Sequence, residues 1–384
     1  MNTRRSFTKT LGTGTALVLF LVLVLNVSFA QTKIEGLSYL DKKPVSVEIK
    51  DGKIVSVQQI DKLSDENHPV YIAPGLIDNQ VNGFAGVSFC LAKGELSKGE
   101  ILRVTNELWK KGVTTYFPTL TTNSQEALLK NFAILAKSKN DEALLGSIAG
   151  YHLEGPYISP VQGYRGAHLE KYIRLPDWDE FSELQKAARN RISLITVAPE
   201  VDGAIPFIQK CSKAGVLVAL GHHNGSSEKI RDAVDAGASM ATHLGNGCAN
   251  MINRHNNPLW PQLADDRITA SIIADGFHLN KDQLQCFYKM KGLERTILVS
   301  DALDLAGLPP GEYTRLERLV VLTEVVKFPA ENVLAGAASP ISTCVSNMIK
   351  FTGCSLENAI QMATANPARL FGLIAYPFRS SKKL

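Results

Sequence analysis

Glu154, His222, His243 and Asp301 each stand at the end of an apolar, strand-like run: GSIAGYHLEG, GVLVALGHH, ASMATHLGN and RTILVSDA. Two imidazoles and a carboxylate can hold a divalent cation, and a second carboxylate can carry a proton. Residues at the carboxyl ends of parallel strands converge on one face of an α/β barrel, where such enzymes do their chemistry. The pattern predicts metal-assisted hydrolysis, with a water whose pKa falls towards about 7. Taken singly, each residue has a plainer reading. Glu154 precedes a Gly155-Pro156 turn signal and fits a salt-bridged surface acid equally well. His152, two residues earlier, fits a packed core histidine, and Asp301 fits a helix N-cap. One of His222 and His223 must face the mouth and the other sideways, and Gly221 lets the backbone approach a ligand closely. Joint occurrence on separate strands is what favours the metal site. His168, Arg254, His255 and His278 lie in loops after strands, where donors and cations orient anionic or polyhydroxylated substrates.

These residues need a scaffold that lines up strand ends. Eight strand candidates are read at 74–80, 113–117, 146–153, 192–197, 216–221, 239–243, 268–274 and 296–300. Helical patterns at 98–111, 124–138, 177–190, 204–214, 226–236 and 280–291 separate most of them. The alternation predicts α/β architecture, a (β/α)8 TIM-type barrel, with a doubly wound open sheet as the alternative. No G-x-G-x-x-G follows the first strand, which argues against a dinucleotide fold. Residues 33–72 differ. The runs VSVEIK and KIVSVQQI meet at Asp51-Gly52, a hairpin signal, and predict a small antiparallel sheet. Residues 340–352 and 355–371 are read as two closing helices.

The chain has 384 residues, 45% hydrophobic and 20% charged, a globular composition. Of the net charge of +4, Arg4, Arg5 and Lys9 supply three, so the rest carries +1. That near-neutral body excludes an electrostatic case for nucleic acid. Residues 1–30 have the layout of an export signal: Arg4-Arg5 as in a twin-arginine signal, the apolar run Ala16–Leu25, then Ser28-Phe29-Ala30. The location expected is exported or periplasmic if that signal is real, and otherwise cytoplasmic. The six cysteines form no C-x-x-C pair, and most are read as small buried hydrophobes.

Pro74-Gly75-Leu76-Ile77-Asp78, His152-Leu153-Glu154-Gly155-Pro156, Gly221-His222, Thr242-His243-Leu244, Ser300-Asp301-Ala302 and Leu334-Ala335-Gly336 occur in one order. In that order they resemble the N-acetylglucosamine-6-phosphate deacetylases of the amidohydrolase superfamily, over roughly 40–372. The resemblance implies a barrel over 73–372 with a small flanking β-sandwich, built from 33–72 and a return segment near 312–338. It implies Glu154, His222 and His243 as ligands of one divalent metal, with Zn2+ the first expectation and Fe2+, Co2+ or Mn2+ the alternatives. Asp301 becomes the general acid/base, with His168 stabilising the oxyanion. His168, Asn246, Gly247, Arg254 and His278 become contacts to the sugar or its phosphate, Arg254 reaching across a homodimer interface.

Departures from the family pattern set alternatives beside that reading. Gln80-Val81-Asn82 stand where many members have His-x-His, so a second metal is not expected. Gly245-Asn246-Gly247-Cys248 replaces the usual aromatic-Asn-Ala-Met, which touches the sugar site. Residues 373–384 stop where the family adds further sandwich strands, implying an exposed sheet edge; a truncated gene would look the same. Export conflicts with a sugar phosphate, whose usual place is the cytoplasm. The alternatives are therefore an amidohydrolase for another N-acyl compound or an unphosphorylated amino sugar, and an inactive exported binding protein.

Overall fold

The computed structural model describes residues 32–67, 69–90, 96–138, 140–315, 318–330 and 332–373. The export-signal expectation for 1–30 and most of the expected tail 373–384 lie outside them. The chain divides into two compact units; the first, among described residues, holds 32–37 and 43–70, and the second 38–42 and 71–373.

In the first unit, β1 (Thr32–Ser38), β2 (Pro44–Lys50) and β3 (Lys53–Gln59) pair antiparallel through the Asp51-Gly52 hairpin. Asp51 and Gly52 both take positive φ (53° and 71°), as a tight hairpin turn requires. Along β3 every residue but Ser56 is exposed, Ile54 and Val55 by more than half.

The second unit carries eight parallel strands in sequence order: β4 (Leu76–Val81), β5 (Val113–Thr121), β6 (Tyr151–Glu154), β7 (Ile192–Val197), β8 (Leu217–Leu220), β9 (Ala238–Ala241), β10 (Thr269–Ile272) and β11 (Thr296–Leu298). Val81 of the first strand and Ala302, just beyond the last, meet in a parallel bridge that closes the sheet into a barrel. Helices follow most strands: α1 (Lys98–Trp109), α2 (Gln125–Ser138), α3 (Trp178–Ala187), α4 (Ala204–Lys213), α5 (Ser227–Asp235), α6 (Leu259–Ala264) and α7 (Lys281–Lys291). Their starts obey local chemistry. Ser97 and Glu100 form a capping box on α1, and Asn280 and Gln283 form one on α7. The apolar faces of the helices pack on the strands in one large cluster that includes Ile101, Val104, Phe132, Phe181, Ile208 and Leu284. A separate antiparallel sheet follows the last barrel strand: β12 (Gly311–Arg315), β13 (Arg318–Leu322), β14 (Val326–Phe328) and β15 (Val333–Leu334).

Two sequence expectations need correction. The helix read over 355–371 is two helices, α9 (Leu356–Met362) and α10 (Ala365–Leu370), after α8 (Ile341–Thr352). Pro367 cannot donate to the carbonyl of Ala363, so a continuous helix would lose a bond there. No helix is expected between 243 and 268, yet the short α6 begins directly after Pro258. Among the described residues no helix is long and apolar enough to cross a membrane, and all six cysteines are free thiols.

Asp78, in β4, is fully buried. Its Oδ1 accepts from Ser300 N and Gln80 N at 3.2 and 3.3 Å, while its Oδ2 has no partner among the described residues. Burial pushes its carboxyl up to about 7. The folded state thus holds this proton more tightly than the unfolded chain. The stabilisation is present at acid pH and is lost as pH rises through 7. Melting of wild type and Asp78→Asn should therefore diverge between pH 5 and pH 8, wild type losing on the order of a few kcal/mol against the variant. Parallel pH profiles would show that Asp78 does not titrate in this range.

Candidate metal centre and active site

The residues expected to do chemistry do meet at the carboxyl ends of the barrel strands. Glu154 ends β6 and is 3% exposed. Its Oε1 lies 2.9 Å from His243 Nε2, 3.3 Å from His222 Nε2 and 2.9 Å from Gln80 Nε2. Ligand atoms of Glu154, His168 and His222 all fall within 4.8 Å of one another. The site therefore gathers one carboxylate and three imidazoles, with His243 bound directly to the carboxylate.

Backbone geometry turns these side chains towards the axis. His222, His243 and Asp301 take φ of 53°, 30° and 52°, in the left-handed region that side-chain-bearing residues rarely enter. Each such residue costs about 1–3 kcal/mol and persists only where its surroundings compel it. Of the histidine pair, His222 faces the mouth. His223 turns aside, its Nδ1 accepting from Gly225 N at 3.2 Å, and burial holds it down at about 4. Gly221 is needed for a different close approach from the one expected. A Cβ there would lie 2.7 Å from Thr242 Cβ and 2.8 Å from Thr196 Cγ2, so the crowding comes from neighbouring strands, not a ligand.

The hydrogen-bond pattern suits a cation. Tyr164 O can only accept, and it lies 3.0 Å from His222 Nδ1, so that nitrogen carries the proton. The other ring nitrogen, Nε2, faces the Glu154 carboxylate oxygen at 3.3 Å. A divalent ion could take this nitrogen and the carboxylate oxygen together, with the Tyr164 carbonyl fixing the tautomer that offers Nε2 as a ligand. Burial alone would raise the Glu154 carboxyl. Its contacts with His222 and His243 outweigh that and hold it well below the usual range. Burial lowers His168, with His222 adding to the effect, to about 3, so it is neutral. His168 Nδ1 lies 2.7 Å from Thr122 Oγ1, whose other acceptor, Glu154 O, is 3.4 Å away. Assigning the hydroxyl proton to Nδ1 leaves Nε2–H of His168 facing the site as a donor.

Asp301 is 7% exposed. Asn82 Nδ2 and Gln80 Nε2 both donate to its Oδ1, at 2.7 and 3.0 Å. Burial, then the Glu154 charge, raises its carboxyl to about 6, with His243 and His278 pulling the other way. The N-cap alternative for Asp301 fails, since no helix starts there. Gln80 and Asn82, read from sequence only as lost metal ligands, are the clamp on this acid. His278 Nδ1 pairs with Asp275 Oδ2 at 2.7 Å; Asp275 was missed, although its i,i+3 spacing from His278 was a usable signal. Thr122 was missed too, and nothing in its sequence context marks it.

The residues expected to contact substrate divide. Gly247 lies against the site: a Cβ there would be 2.8 Å from His222 Nδ1. Asn246 keeps a buried Nδ2 without a partner among the described residues. Arg254 stands apart, exposed on its loop, its Nε donating to His255 Nε2 at 3.0 Å. Among the described residues, neither Asn246 nor Arg254 bonds to Glu154 or Asp301.

Comparison with known proteins adds what geometry cannot. Residues 71–375 match the Amidohydrolase family. The N-acetylglucosamine-6-phosphate deacetylase of Bos taurus is 34% identical over 315 residues, covering 79% of this chain and 75% of the relative. The N-acetylgalactosamine-6-phosphate deacetylase of Escherichia coli O157:H7 is 30% identical, covering 85% and 84%. Among solved structures, the N-acetyl-D-glucosamine-6-phosphate deacetylase of Mycobacterium smegmatis superposes with a TM-score of 0.78 at 26% identity, covering 90% of this chain and 91% of that one.

Proposed function

The chain belongs to the amidohydrolase family, and on that premise we propose that it hydrolyses the N-acetyl amide of an amino-sugar 6-phosphate, N-acetylglucosamine 6-phosphate first, giving the free amine and acetate. The observation that carries this reading is the Glu154 carboxylate facing His222 and His243 beside a clamped Asp301. Glu154, His222 and His243 would hold one divalent ion, Zn2+ in our reading, with Fe2+, Co2+ and Mn2+ as the alternatives for a site of this donor type. When bound, the ion supplies Lewis acidity for the amide carbonyl and acidifies a water. The protein does the rest. With Oδ1 of Asp301 held by Asn82 and Gln80, Oδ2 takes the proton of the attacking water and returns it to the departing nitrogen. His168 Nε2–H donates to the developing oxyanion. Asn246, Gly247 and His278 frame the sugar.

Arg254 fits a phosphate contact made in a partner subunit of a homodimer. Its exposure supports this, as do the exposed Met251 and Trp260 near it in sequence and Phe277 in the next barrel loop. The test is acetate release by protein lacking residues 1–30, with N-acetylglucosamine 6-phosphate, its galactosamine epimer and the unphosphorylated sugar, each with and without chelator. Chelator-sensitive release from the phosphorylated sugars is expected, and Arg254→Ala should raise KM for them about tenfold or more while sparing kcat. Preference for the unphosphorylated sugar, untouched by Arg254→Ala, would replace the substrate assignment. No release from metal-loaded protein would move the reading to another N-acyl substrate or to a binding role.

A further inference from the structure

Below the mouth, the barrel interior carries a row of polar side chains that this chemistry does not use. Val81 N donates to Thr119 Oγ1 at 3.0 Å, and Thr119 Oγ1 meets His152 Nδ1 at 3.4 Å. His152 Nε2 meets Thr196 Oγ1 at 2.8 Å, and Thr196 Oγ1 meets Thr242 Oγ1 at 2.7 Å. The row crosses β4, β5, β6 and β7 and reaches the residue after β9, and none of its four side chains is more than 2% exposed. Barrel interiors are ordinarily filled at such positions by branched apolar residues. A buried polar row is costly unless every member is satisfied.

This one can be satisfied in a single direction. The Thr119 hydroxyl has Phe117 O at 3.1 Å as its nearer acceptor, so His152 Nδ1–H donates to Thr119. Nε2 of His152 then accepts from Thr196, and Thr196 accepts from Thr242.

Three of the side chains adjoin a site group, and Thr119 reaches one through its bond to Val81 N. Val81 lies between Gln80 and Asn82, the two amides on Asp301. His152 precedes Glu154 by two residues on the same strand face. Thr196 is the register partner of Glu154 in the next strand. Thr242 precedes His243. We propose that Thr119, His152, Thr196 and Thr242 are positioning residues: a hydrogen-bonded belt that fixes the heights of Gln80, Glu154 and His243 relative to one another and so sets the spacing of the metal ligands. The inference rests on the reading that Glu154 and His243 hold the ion.

Thr196→Val tests it, because valine keeps the shape and removes both bonds, and Thr196→Ser restores the hydroxyl. The probe is Co2+, read by its visible absorption and by competition with a chelator. Wild type and Thr196→Ser should share one spectrum and one affinity. Thr196→Val should shift the spectrum and bind Co2+ about tenfold more weakly. If Thr196→Val does not fold, Thr242→Val, which removes one bond at the end of the row, is read in the same way. An unchanged spectrum and affinity in a folded valine variant would overturn the belt while leaving the ligand assignment standing. Co2+ binding that survives Glu154→Gln with a wild-type spectrum would overturn the ligand assignment, and the belt with it.

Discussion

Asp301→Asn should lose about a hundredfold to ten-thousandfold in kcat while retaining a full complement of metal. Asparagine is the right probe for local reasons. Asp301 has a φ of 52°, a conformation that asparagine tolerates better than most residues. Its Oδ1 can still accept from Asn82 and Gln80, so the clamp survives. What disappears is the oxygen that receives the water's proton and later protonates the leaving nitrogen. Turnover and metal content, measured on the same preparation, check this. Near-normal kcat in metal-replete Asp301→Asn would mean that the proton travels by another group.

Glu154→Gln should lose both metal and turnover, and adding excess metal should not restore wild-type activity. The carboxylate is the one anionic donor in the ligand set, and it meets both His222 and His243 through a single oxygen. Glutamine supplies a neutral oxygen and places donor hydrogens among nitrogens that need a cation. Elemental analysis after dialysis, with acetate release before and after metal addition, checks the claim. Because a ligand bound only by the folded state stabilises it, metal should raise the melting temperature of wild type and not of Glu154→Gln. A variant with full metal occupancy would place the ion elsewhere.

Much of this was legible in the sequence because it was local. Strand runs and helical stripes sit close to their observed positions, since alternating apolar runs and amphipathic stretches have few other ways to pack. Glu154, His222, His243 and Asp301 were legible because each ends an apolar run. The missing parts were set by contacts distant in sequence. Which of His222 and His223 faces the mouth depends on φ at His222 and on the Tyr164 carbonyl, neither of which periodicity reveals. Gln80 and Asn82 were read by what they lack as ligands. Their role lies in a bond to Asp301, which is 221 and 219 residues away. Thr122 acts on His168 across a loop, 46 residues off. Gly221 was read as making room for a ligand, whereas Thr196 and Thr242 occupy that room.

The left-handed backbone at His222, His243 and Asp301 also bears on how this protein can change. Together the three conformations cost on the order of several kcal/mol, a sizeable share of the roughly 5–15 kcal/mol that separates a typical folded domain from its unfolded chain. A lineage released from selection for turnover would gain stability by admitting glycine or asparagine at these positions, so drift should erode them early. That all three still carry the reactive side chain is, on energetic grounds, a sign of continued use, and it weighs against reading the chain as a retired enzyme kept only for binding.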